Sequence, residues 1–236
     1  MSLPFFIEEP GLELPLSLYA YESELASLYL SQGLPIAGTD EVGVGCLAGP
    51  LVAAAVILPR TPEIEFLNDS KKLSRVKRES LNQIIHALAV SISIVEISVA
   101  QIDEINIYQS AILGMRQAVC SLSVAPAFVL VDARTLIKLP CPQKSIIKGD
   151  ARCASIAAAS IVAKVYRDRL MKTYHEQYPM YGFASHQGYG TKAHLEALKK
   201  YGPTPYHRTS YAPVAEILQR TGKKSNEQLS LPLDFC

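Results

Sequence analysis

Two adjacent carboxylates, Asp40 and Glu41, stand where the apolar run Ile36-Ala37-Gly38-Thr39 gives way to Val42-Gly43-Val44-Gly45. Burying one unpaired carboxylate is costly, and two neighbours repel each other as well. A divalent cation relieves both problems, because hard cations take oxygen ligands. An exposed turn after a strand is the plain alternative. The theme recurs at Asp132, which ends the apolar run Phe128-Val129-Leu130-Val131 at the kind of strand end where α/β sheets place ligands. It recurs again at Asp150, after Lys148-Gly149 and before a long alanine-rich segment whose helical N-terminus would favour negative charge. Asp132 could be a turn former and Asp150 a near-cap residue. Taken together, four such acids could hold two metal ions about 3.5–4 Å apart. Such a pair activates water and stabilises the leaving oxygen in phosphodiester hydrolysis.

The elements that must position these acids follow from periodicity. Strands are expected at about 35–41, 50–58, 90–99, 128–131 and 144–147, and helices at about 19–30, 74–86, 107–120, 155–174 and 191–201. Ser74 suits the N-cap of the second helix. Strands alternating with helices, some strands adjacent, indicate an α/β domain with a mixed sheet. Neighbouring side chains on a regular strand point to opposite faces. Asp40 and Glu41 can therefore share an ion only if the strand ends or twists there, which Gly43 and Gly45 would permit.

Composition narrows the class. The chain has 236 residues, 49% of them hydrophobic, which suits one sizeable core and excludes a disordered chain. Residues 1–59 carry seven acids and no lysine or arginine; the remainder carries 23 bases against 15 acids, about +8. That asymmetry suits a polyanionic partner as well as it suits an ordinary solvated surface. Five cysteines without a CxxC pair do not read as a disulfide framework or a zinc site, and no signal-peptide pattern opens the chain. A cytoplasmic protein with reduced thiols is expected. The eighteen uncharged residues between Glu41 and Arg60 are broken by Gly43, Gly45 and Gly49-Pro50, so two buried strands fit them better than a membrane helix.

The sequence resembles the type 2 ribonucleases H of bacteria, the ribonuclease HII family, over about 35–212. The resemblance rests on six ordered blocks: DEVGVGCLAGPLVAAAVIL (40–58), NDSKKLS (68–74), EINIYQSAILGMR (104–116), VLVDA (129–133), KGDARCASIAAASIVAKVYRDRLM (148–171) and YGFASHQGYGTKAHLEAL (181–198). It implies an RNase H-like fold: a mixed central sheet flanked by helices, with a helical C-terminal part. It implies an endonuclease that cuts the RNA strand of RNA–DNA hybrids and single ribonucleotides embedded in duplex DNA, leaving 3′-hydroxyl and 5′-phosphate ends. It further implies Mg2+ or Mn2+ as cofactor, two ions with substrate bound, with Asp40, Glu41, Asp132 and Asp150 as the catalytic, metal-binding acids. The domain plan is an acidic, partly helical extension over 1–33, the catalytic domain over 34–215 and a flexible tail over 216–236. Ribonuclease HIII, a DNA-junction resolvase and a catalytically weak hybrid-binding protein are the alternatives.

Substrate contacts are expected from Gly43, Val44, Gly45, Ser70, Lys71 and Tyr189. The resemblance would imply Gly-Arg-Gly where the chain reads Gly43-Val44-Gly45, and lysine at Gln187. Val44 keeps a backbone able to meet a 2′-hydroxyl, which is both donor and acceptor, but lacks a guanidinium for phosphate. Ser70, Lys71 and Lys72 suit phosphate or a solvated turn; Tyr189 suits stacking on a sugar or packing on the core. His186, His194 and His207 fit no standard metal spacing and read as structural or phosphate-facing. Lys164, Arg167 and Arg169 read as a solvated helix face. Near the end, Gln228, Leu229, Leu231 and Leu233 resemble the short glutamine–leucine peptide that docks repair enzymes on the bacterial sliding clamp; packing on the chain's own domain is the alternative.

Overall fold

The apolar runs that carry the acids lie at the centre of a five-stranded sheet in a computed structural model, which describes residues 18–29 and 34–221. The strands are β1 (Ile36–Val42), β2 (Leu51–Ile57), β3 (Ser91–Ile97), β4 (Phe128–Asp132) and β5 (Gln143–Ile146), in the spatial order β3-β2-β1-β4-β5. The first three pair antiparallel, whereas β1 with β4 and β4 with β5 run parallel. The mixed sheet expected from the element pattern is thus present. The uncharged stretch after Glu41 becomes a turn and β2, every residue of which is buried. Among the described residues no helix is long and apolar enough to cross a membrane.

Eight helices are described: α1 (Leu18–Tyr29), α2 (Arg75–Leu88), α3 (Val99–Ile105), α4 (Ile107–Cys120), α5 (Ala154–Gln177), α6 (Phe183–His186), α7 (Lys192–Tyr201) and α8 (Ala212–Thr221). The sequence reading assigns no helix to α3 or α8, although Ser98 and Gln101 form a capping box at the start of α3. Ser74 caps α2 as expected, accepting from the Lys77 amide at 3.3 Å.

Strand alternation sorts the core into two layers. Val52, Ala54 and Val56 of β2 face α5 and α2, meeting Ile161, Leu81 and Ile85. Ala53, Ala55, Val129 and Val131 face the opposite way, onto Met115, Ala118 and Val119 of α4. Full burial of each large aliphatic side chain contributes about 1.5–3 kcal/mol. Gly38 lets α5 approach the sheet: a Cβ there would lie 2.2 Å from the Ser155 carbonyl carbon. A third cluster, around Phe183, Leu198 and Val214, joins α6, α7 and α8 to Met171 of α5 and forms the helical C-terminal part.

The N-terminal helix is fastened to this body. Tyr19 Oη accepts from the Ile64 amide at 2.9 Å, and Glu22 accepts from the Ser155 amide and hydroxyl at 2.7 and 2.8 Å. At the other end α8 continues to Thr221, past the expected boundary at 215. Gln228, Leu229, Leu231 and Leu233 lie outside the described residues.

Candidate metal and nucleic-acid site

Three acids meet on the α5 side of the sheet. Gly38 faces α5, so Asp40, two residues on, does too. On the neighbouring parallel strand Leu130 packs with Ile156 of α5, and Asp132 follows with the same parity. Asp150 lies in a 3-10 turn, Gly149–Ala151, just before α5 begins. It does not cap that helix; Glu22 occupies the helix N-terminus instead, and the Asp150 carboxylate turns to Lys71 and Asp69. Glu41 comes from the other face of β1, because the strand continues unbroken to Val42.

The electrostatics record the crowding. Burial, then repulsion from Glu41 and Asp132, pushes the Asp40 carboxyl well above the usual carboxylate range. Burial raises Glu41, opposed by the Arg134 guanidinium. Burial raises Asp132, opposed by the Gly149 amide that donates to its Oδ1 at 2.8 Å. Asp150 is raised by burial and then by Asp69 and Asp132. Arg134 Nε and Nη2 both reach Glu41 Oε1 at 3.2 Å, while Glu41 Oε2 is buried with no hydrogen-bond partner.

An orphaned, buried carboxylate oxygen among acids that resist ionisation is what a hard cation would satisfy, and the donor set is all oxygen. Among the described residues, however, no three acids, histidines or cysteines converge tightly enough to enclose an ion. An ion held there would take its remaining ligands from outside the chain.

The backbone around the acids is strained. Ala133, directly after Asp132, has φ 49° and Lys148 has φ 56°, a region that favours glycine. Lys71 Nζ stands 3.9 Å from Asp150 Oδ2 on a side chain 78% exposed. Partial burial would lower this ammonium, but Asp150, Asp40, Asp69 and Asp132 outweigh it and hold it above the usual lysine range. Ser70 is not on a solvated turn; it is buried with its hydroxyl 2.9 Å from that of Ser160.

The loop after β1 differs from its sequence reading. Gly43 has φ +99°, but Gly45 needs no left-handed backbone; a Cβ there would only touch the Tyr189 ring at 3.8 Å. Val44 packs into a cluster with Leu51, Ile97, Ile102 and Ala111, so its side chain anchors the loop. Tyr189 is 43% exposed and its backbone bridges to Cys46, which brings the two candidate substrate segments together.

The histidines are structural. The Thr204 amide donates to His207 Nδ1 at 2.9 Å, so His207 donates from Nε2 to His194 Nε2 at 3.0 Å. His194 Nδ1 then donates to the Tyr189 carbonyl at 2.8 Å. Burial, with His186 beside His194 and His194 beside His207, pulls His194 down to about 4 and His207 to about 3, so the relay is neutral.

One sequence expectation is overturned. Arg167 does not join a solvated helix face; it is fully buried, donating to the Pro50, Gln187 and Ala48 carbonyls at 2.9, 2.8 and 3.0 Å. Lys164 is mostly covered and pairs with Asp168 at 2.6 Å, which leaves Arg169 as the solvated member of the three. The chain folds Gly43–Pro50 over that face, a contact helical periodicity alone cannot reveal. Sequence reasoning also passed over Arg134, Asp69 and Glu22. Arg134 could have been flagged as a cation two residues past a strand-end acid.

This arrangement agrees with what the chain is similar to. The ribonuclease HII family model matches residues 37–214. A ribonuclease HII of Geobacillus kaustophilus is 52% identical over 212 residues, covering 90% of this chain and 78% of that protein. One from Bacillus cereus is 51% identical over 205 residues, covering 87% and 78%. Among solved structures, the ribonuclease H2 of Pyrococcus horikoshii superposes with a TM-score of 0.68 at 26% identity, over 81% of this chain and all of that one (100%). The Archaeoglobus fulgidus RNase HII, solved in complex with PCNA, gives 0.63 at 25% identity, over 83% and 98%. An RNase HIII solved in complex with Mn2+ shares the fold, with a TM-score of 0.58 at 17% identity.

Proposed function

The chain belongs to the ribonuclease HII family, and from that premise we propose how its site acts on a ribonucleotide set in duplex DNA. Membership makes it a metal-dependent endoribonuclease that cleaves RNA in RNA–DNA hybrids. It also sets aside ribonuclease HIII, of which three solved relatives share the fold at only 17–19% identity.

Our reading assigns Asp40, Glu41, Asp132 and Asp150 to hold divalent ions, two with substrate bound, either Mg2+ or Mn2+. When bound, such ions supply the positive charge that eases deprotonation of an attacking water and neutralises the departing 3′-oxygen. The observation that carries this reading is Glu41 Oε2, buried without a partner beside acids that burial and mutual repulsion hold above their usual range. Arg134 fixes the other oxygen of that carboxylate and so orients it. Lys71, exposed and close to Asp150, is placed to meet a phosphate. The Tyr189 ring offers a face to the sugar, and the Val44–Gly45 backbone faces the 2′-hydroxyl. Cleavage then leaves 3′-hydroxyl and 5′-phosphate ends.

The test is cleavage of three labelled substrates with and without Mg2+ or Mn2+: a duplex with one embedded ribonucleotide, the same duplex in all-DNA form, and an RNA–DNA hybrid. Metal-dependent cutting of the first and third is expected. Cutting of the all-DNA duplex, or none of the single-ribonucleotide duplex, overturns the junction reading.

As partner we propose the bacterial sliding clamp, docked through Gln228, Leu229, Leu231 and Leu233. The support is the tail sequence and the Archaeoglobus relative solved with PCNA. Docking would raise the local concentration of enzyme on new DNA. A 222–236 peptide should bind the clamp, and a peptide with Gln228, Leu231 and Leu233 changed to alanine should not; equal binding by both rejects the idea.

A further inference from the structure

Two guanidiniums, Arg167 of α5 and Arg208 before α8, lie fully buried beneath the loop that follows Glu41. Neither forms an ion pair among the described residues; their partners are backbone carbonyls and one phenol. Arg208 donates from Nε and Nη2 to the Gly49 carbonyl at 3.0 and 2.9 Å, and from Nη1 to the Val44 carbonyl at 3.0 Å and Tyr211 Oη at 2.9 Å. Tyr211 Oη itself donates to the Val44 carbonyl at 2.7 Å. Arg167 holds the carbonyls of Ala48, Pro50 and Gln187, so one side chain ties the loop to the segment carrying Tyr189.

Burying a cation without a carboxylate is expensive, and apolar side chains of similar volume often serve stability better. What the arginines provide is direction. They draw the carbonyls of Val44, Ala48, Gly49 and Pro50 inward, while among the described residues the amides of Val44 and Gly45 donate to nothing in the chain. The glycines record the same demand. A Cβ on Gly43 would lie 2.4 Å from Arg167 Nε; one on Gly49 would meet Met171 Sδ first, at 2.4 Å, and Arg167 Nη2 at 3.1 Å. Gly43 thus makes room for a guanidinium as much as for a ligand.

We propose that Arg167 and Arg208 are positioning residues: they orient the Val44–Gly45 backbone so that its free amides meet the ribose at the cleavage point. The inference rests on the reading that this loop faces the ribonucleotide. It assigns the arginines a geometric task, distinct from supplying charge to the phosphates. Lysine, which keeps the charge but cannot reproduce the forked donors, should therefore fail to rescue.

The experiment measures kcat, substrate Kd and its salt slope for Arg167→Lys, Arg208→Lys and Tyr211→Phe on a single-ribonucleotide duplex. Each variant is assayed well below its own melting temperature. The lysine variants should lose about tenfold or more in kcat, as expected for a misplaced reacting group, with Kd and salt slope close to wild type. Tyr211→Phe, which removes one of two donors to the Val44 carbonyl, should lose less in the same direction. Folded lysine variants with wild-type kcat, or a loss confined to Kd and salt slope, overturn the proposal. If both lysine variants fail to fold, Tyr211→Phe decides, and wild-type kcat there overturns it. A wild-type enzyme that leaves the duplex uncut overturns the junction reading instead. The same kcat series on an RNA–DNA hybrid then still decides the role of the arginines.

Discussion

The acid end of the sheet and the arginine–histidine seam beneath the loop are both buried and polar, yet they are built on opposite terms. In the seam, every guanidinium nitrogen of Arg167 and Arg208 has an acceptor, and the His194–His207 relay leaves no ring nitrogen idle. At the acid end, Glu41 Oε2 has no partner and four carboxyls sit above their ordinary range. Satisfied buried groups specify shape; unsatisfied ones await a ligand. The seam has one orphan of its own, Gln187 Oε1, so what marks the acid end is a bare carboxylate oxygen among acids that resist ionisation.

The sharpest way to break the comparison is Asp132→Asn. Removing a charge from the proposed ion site should reduce cleavage by roughly three orders of magnitude, in single-turnover assays at saturating Mn2+. The same change removes repulsion, so thermal unfolding in chelator should show equal or higher stability. The seam should answer oppositely. Arg208→Met strands the Gly49 carbonyl, leaves that of Val44 with Tyr211 alone, and should cost about 3 kcal/mol in urea unfolding with chelator present.

The two regions also titrate with opposite sign. Folded His194 and His207, at about 4 and about 3, bind fewer protons than the unfolded chain, whose histidines titrate near 6.5. Their contribution is intact above that value and is lost as pH falls toward 4, on the order of 2 kcal/mol apiece by pH 5. The raised acids act conversely in metal-free protein: they destabilise the fold once pH rises above their unfolded values. Added Mn2+ should reverse the acids' sign, so its stabilisation should shrink steadily from pH 8 to pH 5. A stabilisation independent of pH would mean that the ions bind elsewhere.

The smallest expected effect concerns Val44→Arg. The valine belongs to an apolar cluster, so arginine must leave it, at about 1 kcal/mol in stability. If the new side chain reaches a phosphate, the salt slope of binding steepens by about one. An unchanged slope would show that the anchored loop admits no such contact.

What the sequence reveals here divides along the same line. The acids were legible because a carboxylate at the end of an apolar run contradicts its surroundings. The strands and long helices were legible from periodicity. The seam was hidden because Arg167 stands beside Lys164 and Arg169 in the charged second half of α5, and only the folded loop decides which of the three is covered. Glu22 was hidden for a similar reason: its partner Ser155 is 133 residues away.

Those separations bear on how the enzyme comes into being. The Val44 carbonyl waits 164 residues for Arg208, and Glu22 waits 133 residues for Ser155. At roughly 5–20 residues per second of synthesis, the first of these intervals lasts on the order of ten to thirty seconds. A nascent chain that has just delivered Asp150 already carries all four acids, but neither the clasp on Val44 nor the partner of Glu22. The residues read as the ion site are thus all delivered before the clasp that holds the Val44 loop.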